Sequence, residues 1–170
     1  MLIYLSKQDA HASKILGADT VKLCEMQGFK PRLENESQSR VEANIYGFKA
    51  EFAVARLLDL TPPTINVVSD GGVDLWCGDT SIDVKFTNNE YGPLVFDTIP
   101  KFRAQIAVLV GRTENTNVMR VNGWVNRKTF KEECVAQDFG YGERLMMEHD
   151  KLFPIETFWK QLMETKFKGE

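Results

Sequence analysis

The sequence predicts an α/β fold in which a mixed central sheet is flanked by helices. A strong helical segment runs from Ser37 to about Leu60 and stops before Pro62-Pro63. Short segments rich in β-branched and aromatic residues follow it, separated by turns that contain Gly, Asp and Asn. Pro154 then opens a last helix, in which apolar residues repeat at helical spacing: Ile155, Phe158, Trp159 and Leu162. The chain has 170 residues, 43% of them hydrophobic, so we expect residues 1–170 to form one domain around a sizeable core.

The individual elements are predicted from the same periodicities. Ahead of the core we expect a strand at Met1–Leu5, a helix at Ser6–Met26 and a connection at Phe29–Glu36, so residues 1–36 form a helical extension and residues 37–170 the core. The strand block is predicted as a meander of three or four strands: Thr64–Val68, Val73–Cys77, Ser81–Thr87 and Pro93–Phe96. The remaining elements are strands at Gln105–Arg112 and Asn117–Trp124, a helix at Asn126–Ala136 and a Gly-rich loop at Asp138–Asp150 with room for an edge strand.

Composition narrows the possible classes of protein. The net charge is -3, which argues against a surface coated with basic residues for sequence-independent nucleic-acid binding but allows a local basic face. Three widely spaced cysteines without a CxxC pair indicate reduced thiols in a cytoplasmic protein. The longest apolar run, Ile106–Val110, is far shorter than a membrane span, and the first residues lack the pattern of a secretion signal. We therefore expect no membrane partner.

Two acidic segments in the strand block carry the most information. Asp74 follows Gly71-Gly72-Val73 just before a predicted strand, and Asp83-Val84-Lys85 lies inside the next one. Because side chains on a strand alternate, Asp83 and Lys85 share one face, and the apolar side chain of Val84 points to the other. Burying ionisable groups costs free energy unless they are paired or bound to a metal. The pattern therefore predicts a site for a hard cation with a lysine beside it.

The long helix before these strands supplies a third element. Arg40, Asn44, Gly47 and Glu51 follow one another at steps of four, three and four, so they form one polar stripe. A glycine inside a helix costs about 0.5–1 kcal/mol relative to alanine, and the close approach of another backbone at Gly47 would explain it. We expect Glu51 to stand over the sheet beside both aspartates.

Each of these residues also has a purely structural interpretation. An Asp after Gly-Gly is usually a turn residue, an Asp-x-Lys on a strand is usually a solvated ion pair, and a helical Glu usually faces water. On that interpretation the chain is an acidic structural protein. The combination favours a site instead, because the periodicity points all three elements toward one edge of the core.

Taken together, these residues resemble the motif of the PD-(D/E)XK phosphodiesterase superfamily. The similarity rests on Val73-Asp74, the eight-residue gap, Asp83-Val84-Lys85 and the preceding helix with Glu51, and it covers roughly Ser37 to Phe130. Val73 stands where such proteins often have proline. The resemblance implies a restriction-endonuclease-like fold, whose core is a helix, a three-stranded antiparallel meander, a second helix and a further strand in a mixed sheet.

The resemblance also implies roles for the site residues. Asp74 and Asp83 would bind Mg²⁺, with Mn²⁺ as a substitute, and the backbone carbonyl of Val84 would assist them. Glu51 would complete or support the metal shell. Lys85 would position the attacking water and stabilise charge in the transition state. Independently, a few carboxylate oxygens around a cleft are what Mg²⁺ needs when water and phosphate supply its other ligands.

The implied function is that of a Mg²⁺-dependent DNA endonuclease acting as a homodimer. Two alternatives stay open: a Holliday-junction or other structure-specific resolvase of the same superfamily, and a catalytically silent nucleic-acid-binding module. Residues expected to contact DNA lie on the Glu51 stripe, just after the motif lysine and in the next basic segment: Arg40, Asn44, Thr87, Asn88, Lys101 and Arg103. Tyr91 is the loop aromatic expected to contact DNA, whereas core packing is expected for the tryptophans: Trp76, Trp124 and Trp159.

Overall fold

The computed structural model describes residues 1–28, 39–64, 72–140 and 142–160. Its helices are α1 (Lys7–Met26), α2 (Arg40–Leu57), α3 (Arg127–Glu133) and α4 (residues 155–160). The first four strands are β1 (Leu2–Tyr4), β2 (Leu75–Cys77), β3 (Thr80–Thr87) and β4 (Leu94–Phe96). The last four are β5 (Ile106–Arg112), β6 (Val118–Asn126), β7 (Val135–Asp138) and β8 (Glu143–Met147).

These strands form two sheets. The larger sheet has five strands in the order β1-β6-β5-β3-β2, and the smaller one has three in the order β4-β8-β7. In the larger sheet β3 and β5 run parallel, and all other neighbours are antiparallel. The predicted mixed sheet flanked by helices is therefore confirmed, whereas the restriction-endonuclease-like arrangement stays a prediction.

Helix α1 begins where a capping motif fixes its first turn. The Ser6 hydroxyl accepts a hydrogen bond from the Asp9 N–H, and the Asp9 carboxylate accepts one from the Ser6 N–H. This reciprocal pair satisfies two backbone donors that a helix start would otherwise leave open. Helix α2 begins in a similar way, since the Ser39 hydroxyl accepts from the Glu42 N–H. Both helices thus start close to their predicted bounds, and Ser37 itself lies outside the described residues.

Two apolar clusters hold the larger sheet between its covering layers. On one face, Ala50, Ala53 and Val54 of α2 pack with inward side chains of β3 and β5, such as Ile82 and Val108. The opposite face meets the smaller sheet in a second cluster that contains Leu94, Phe96, Phe102, Leu109, Val125 and Phe130. Strand β5 is consequently buried on both faces over most of its length. Its continuous apolar run is typical of a strand covered on both sides.

The predicted meander is wrong at its last strand. Strand β4 leaves the larger sheet and pairs with β8, and β5 takes the place beside β3. The turn after β3 crosses close to β5 at Gly111, where a side chain would overlap the Glu90 carbonyl. Leu94 and Phe96 of β4 are then buried in the second cluster. Turn residues predicted the strand ends correctly, but they contain no information on which sheet a strand joins.

The region after β6 also differs from the prediction. Helix α3 ends at Glu133 rather than near Ala136, and β7 begins at Val135 inside the predicted helix. The segment predicted as a Gly-rich loop with room for an edge strand contains all of β8, which is the middle strand of the smaller sheet. The β8 sequence Glu-Arg-Leu-Met-Met has no β-branched residue, so local propensity gave little sign of a strand. Burial of Met146 and Met147 stabilises it instead. The predicted strand Thr64–Val68 lies almost entirely outside the described residues, as does the end of the last helix beyond residue 160.

The first 28 residues are built into the fold. Strand β1 pairs with β6 at one edge of the larger sheet, and Leu5 belongs to the first apolar cluster. Helix α1 packs along α2, and the two helices come close at Gly17, where a Cβ atom would lie 2.7 Å from the Ile45 nitrogen. Over the described ranges, none of the helices is both long and apolar enough to cross a membrane.

Asp9 makes the stability of this helix pair dependent on pH. It is buried, and its carboxylate is bonded by the Arg56 guanidinium and the Ser6 N–H. Burial alone would raise the pKa of Asp9, but the hydrogen bonds from Arg56 and Ser6 outweigh it and hold the pKa below its ordinary value of 3.8. The stability contributed by ionised Asp9 is therefore fully present above pH 3.8 and is lost as the pH falls through the lower pKa of the folded state.

We expect Asp9→Asn to lower the free energy of unfolding at pH 7 by about 1 kcal/mol. The free energy of unfolding of this variant should also decrease less than that of the unmodified protein when the pH is lowered. Urea denaturation at several pH values between 3 and 7 measures both effects. Asp19→Asn is the matched control, because Asp19 makes only a 3.5 Å surface ion pair with Lys22 on the same helix. Equal pH profiles for Asp9→Asn and the unmodified protein would contradict the prediction.

Candidate functional site

The candidate site is centred on the hairpin of β2 and β3. Its tight turn contains Gly78, whose φ of 59° suits a residue without a side chain. The strands pair Leu75 with Ile82 and Trp76 with Ser81. Asp74 directly precedes β2, and its hydrogen bonds to Ile82 and Val84 place it beside Asp83 of β3. The two predicted acids are therefore neighbours across the hairpin.

Asp74 is joined to β3 by both its backbone and its side chain. Its N–H donates to the Ile82 carbonyl at 2.9 Å, and its Oδ2 accepts from the Val84 N–H at 2.6 Å. These two partners are the residues on either side of Asp83 in the chain. The Asp74 carboxylate thus occupies a position along β3 where the backbone of a longer β2 strand would have bonded.

The same bond fixes the direction of the Val84 carbonyl. In a strand, the N–H and C=O groups of one residue point to the same side. Since the Val84 N–H points to Asp74, its carbonyl oxygen lies along the same edge of β3. This is the direction that the predicted role of the Val84 carbonyl requires.

Asp83 and Lys85 share a face of β3, as the sequence predicted. The Asp83 Oδ1 lies 2.6 Å from the Lys85 Nζ, with 1% of the Asp83 side chain and 36% of the Lys85 side chain exposed. The ammonium also lies 5.0 Å from the centroid of the Phe96 ring in β4, a distance at which a cation is attracted to the ring. A buried acid and a half-exposed base are thereby held together at the border of the second apolar cluster.

Glu51 approaches from a different side of the sheet. It is half-buried on α2, which covers the face formed by Ile82, Val84 and Phe86. Asp83 and Lys85 point to the opposite face, where their register partners in β5 are Ala107 and Leu109. Within the described ranges, no group of three or more His, Cys, Asp or Glu side chains is close enough to hold a metal ion. The described residues therefore bring together Asp74 and Asp83, but not the predicted set of three acids.

The donors that do come together suit Mg²⁺. Asp74 and Asp83 provide carboxylate oxygens and Val84 a carbonyl oxygen, all of them hard ligands. Magnesium sites commonly use one or two carboxylates and take their remaining ligands from water and substrate phosphate. The donor set is therefore compatible with the predicted ion even without Glu51.

The polar stripe of α2 is half-buried, and one of its side chains is bonded within the helix. Arg40, Asn44 and Glu51 are all half-buried, and the Asn44 amide donates to the Arg40 carbonyl at 2.9 Å. The expected close approach at Gly47 is wrong because, apart from its chain neighbours and the backbone of its own helix, no described residue has an atom within 4 Å of the place where its Cβ would be. The close contact that requires a glycine is at Gly17 on α1, which meets α2 at Ile45.

Thr87 and Asn88 end β3 and begin an anchored turn. The Thr87 hydroxyl accepts from the Asn89 N–H at 3.3 Å, and Asn88 is exposed. Glu90 ties the turn to β6, since its carboxylate accepts from the Arg120 Nε at 2.6 Å. The ring of Tyr91 lies 4.8 Å from the same guanidinium and is exposed. This turn is therefore attached to β6 five residues beyond the motif lysine.

Lys101 and Arg103 lie next to the chain segment that leads into Asp74. A Cβ built at Gly72 would be 3.7 Å from the Lys101 carbonyl oxygen and 3.8 Å from the Arg103 Cβ. Both side chains are exposed, and Phe102 between them is buried in the second cluster. The wall segment, residues 96–103, thus borders the hairpin with Phe96 beside Lys85, and with the Lys101 backbone and the Arg103 side chain beside Gly72.

The sequence reasoning missed one residue of this site. Trp124 is buried as predicted, with 3% exposed, but Trp76 is 60% exposed and Trp159 39% exposed, so core packing was wrong for both. Leu75 and Cys77 of β2 pack toward the α2 face, which turns Trp76 to the face of Asp83 and Lys85. Alternation within the short strand contained this signal, because the two smaller neighbours already supply its buried side.

No protein-family model, curated protein or solved structure matches this chain.

Proposed function

We propose that this protein is a Mg²⁺-dependent DNA endonuclease that hydrolyses phosphodiester bonds at Asp74, Asp83 and Lys85. The observation that supports it most is the bonding of Asp74 to both chain neighbours of Asp83, with Lys85 2.6 Å from the Asp83 carboxylate. Two acids and one base are thereby concentrated on a single hairpin. A structural role would require only one ion pair there.

Each residue has a distinct task in this proposal. Asp74 and Asp83, with the Val84 carbonyl, would hold the ion. When bound, Mg²⁺ would lower the pKa of a coordinated water and neutralise charge on the phosphate. Lys85 would place a fixed positive charge where negative charge develops in the transition state. The Asp83 carboxylate and the Phe96 ring keep this ammonium in position before substrate arrives.

Incubation with DNA and Mg²⁺ tests the proposal directly. The substrates are linear duplex, supercoiled plasmid, single strands and a four-way junction, each with Mg²⁺, with Mn²⁺ or with a chelator. We expect cleavage with either metal and none with the chelator. Preferential cutting of the junction would identify the resolvase, and sedimentation of the same sample would test the proposed homodimer. If no substrate is cut with either ion, the proposal fails.

A second candidate function is a catalytically silent nucleic-acid-binding module. The observation that favours it is that the described residues bring no group of three acids together for a metal. The Asp83–Lys85 ion pair would then serve only to hold the hairpin. DNA binding without cleavage, unchanged by Mg²⁺, would support this candidate over the nuclease.

Lys101 and Arg103 are proposed to contact phosphates beside the site. Replacing both by alanine is expected to make DNA binding less dependent on salt, because each lost phosphate contact lowers the slope of log K against log [salt] by about 0.7–0.9. Binding to a labelled oligonucleotide at several salt concentrations, with a chelator present, gives that slope. The control is Lys128→Ala with Lys131→Ala, two exposed cations on α3. Equal slopes for the two double variants would contradict the assignment.

A further inference from the structure

We propose that Trp76 is a stacking platform for an unpaired base, so that the preferred substrate is a nucleic acid with unpaired nucleotides next to the bond that is cut. This inference rests on the proposed nuclease function and adds a substrate class to it. It starts from an indole that the fold leaves exposed beside the candidate site.

The first argument is the position of Trp76 in the hairpin. Trp76 pairs with Ser81, and Ser81, Asp83 and Lys85 alternate along one face of β3. Leu75 and Cys77, its neighbours in β2, contact the first cluster on the other face. The indole therefore lies on the same face as the acid and base of the candidate site, on the strand next to them.

The second argument is the change in exposure across this face. Over β5 the face is covered by the second cluster, and Leu109 is buried there. On β3 the Asp83 and Lys85 side chains are 1% and 36% exposed, and on β2 Trp76 is 60% exposed. Among the described residues, the covering layer thus ends at β3, and on β2 it leaves the side chain of Trp76 exposed on this face. Tryptophan is a highly buried residue on average, and an exposed indole beside polar catalytic groups is typical of ligand contact.

The third argument is charge. The wall segment places Lys101 and Arg103 beside Gly72, two residues before Asp74, and Trp76 comes two residues after it. Cations, acid and indole therefore follow one another in this order along the segment that leads into and through β2. A polyanion that carries flat bases matches this order, since cations bind its backbone and an aromatic face binds a base.

The chemistry of stacking selects the form of the nucleic acid. Inside a duplex, both faces of a base are already covered by its neighbours. Along the length of a nucleic acid, an unpaired base, in a single strand, a flap or a frayed end, presents a free face to the indole, whereas a duplex offers one only at its two ends. Loss of one such contact is expected to weaken binding about tenfold.

The test measures binding separately from cleavage. A fluorescein-labelled 12-nucleotide single strand and a 12-base-pair duplex are titrated with protein in a chelator, where no cutting is expected, using Trp76→Ala, Trp76→Phe and the unmodified protein. We expect Trp76→Ala to weaken binding of the single strand about tenfold, Trp76→Phe to retain most of it, and duplex binding to change less than twofold. Trp159→Ala is the matched control, because Trp159 is an exposed tryptophan outside the hairpin.

An oligonucleotide series with one abasic position moved along the strand extends the test. One position should weaken binding to the unmodified protein but not to Trp76→Ala, which identifies the base that stacks. Equal binding of the single strand by Trp76→Ala and the unmodified protein would overturn the inference, as would no binding at all. A change of oligomeric state in Trp76→Ala would overturn it too, since the indole would then contact a second copy.

The results also separate this inference from the proposed function. If Trp76 governs single-strand binding but nothing is cut with Mg²⁺, stacking stands and the nuclease proposal fails. If DNA is cut and Trp76→Ala binds and cuts like the unmodified protein, the nuclease proposal stands and stacking fails.

Discussion

Asp83→Asn is expected to lower the rate of Mg²⁺-dependent DNA cleavage by about a thousandfold while the protein stays folded. Asparagine has almost the same shape as aspartate, so the buried position remains filled. It lacks the negative charge that would bind the cation and hold the Lys85 ammonium at 2.6 Å. Because 36% of the Lys85 side chain is exposed, water can solvate the ammonium once its partner is gone. The loss of stability should therefore be small beside the loss of activity.

Asp79→Asn is the matched control for this experiment. Asp79 is exposed in the turn of the same hairpin, so the substitution removes an equal charge a few residues from the site. We expect Asp79→Asn to cut at the rate of the unmodified protein. Initial rates at saturating Mg²⁺, with circular dichroism of each variant, give the comparison. Equal activity of Asp83→Asn and Asp79→Asn would remove Asp83 from the proposed site.

The second large effect is on the free energy of unfolding. It is measured by making the same substitution, glycine to alanine, at two positions in the helix pair. Gly17→Ala puts a Cβ atom 2.7 Å from both the nitrogen and the Cγ1 of Ile45 in α2. The contact includes the backbone, so α1 and α2 must move apart, and the expected loss in free energy of unfolding is about 1–3 kcal/mol. Asp9 and Arg56 join the same two helices and would be strained by that movement.

Gly47→Ala is the control within the same pair of helices. No described atom lies within 4 Å of its Cβ position, so alanine should raise the free energy of unfolding by about 0.5–1 kcal/mol through backbone entropy. The gain in helix propensity from glycine to alanine is similar at both positions. The difference between the two variants in free energy of unfolding therefore measures the cost of the close contact between the helices at Gly17. Urea denaturation at pH 7 measures both. Equal effects at Gly17 and Gly47 would contradict the observed crossing.

Local patterns predicted much of the candidate site. Alternation placed Asp83 and Lys85 on one face, and the turn at Gly78-Asp79 made β2 and β3 a hairpin, so Asp74 came to lie beside β3 near Asp83. All of this depends on residues within a dozen positions of one another. The helix start at Ser6 was equally local, because its capping side chain is adjacent to the turn that it bonds. The second helix is capped by Ser39, two residues after the predicted start at Ser37.

Relations between distant segments could not be predicted in this way. The polar stripe on α2 was recognised, but its spacing could not tell which face of the sheet the helix covers, and so Glu51 was expected beside both aspartates. A glycine in a helix shows that something is unusual, but only the packing distinguishes the crossing at Gly17 from the open position at Gly47. Trp76 was assigned to the core from the average behaviour of its residue type, although its own strand had already used Leu75 and Cys77 for burial.

The pairing of β1 with β6 has a consequence for the order in which the fold can form. These strands pair Leu2 with Arg120 and Tyr4 with Val118, so more than a hundred residues must be made before β1 can find its partner. Contacts of such sequence separation form late, since a long loop must be closed first. The hairpin next to Asp74 and Asp83 pairs two strands that are neighbours in the sequence, so it can form as soon as both strands have been synthesised. During synthesis the chain can therefore build its candidate site before the edge of its sheet, and the first strand stays unpaired until the sixth emerges.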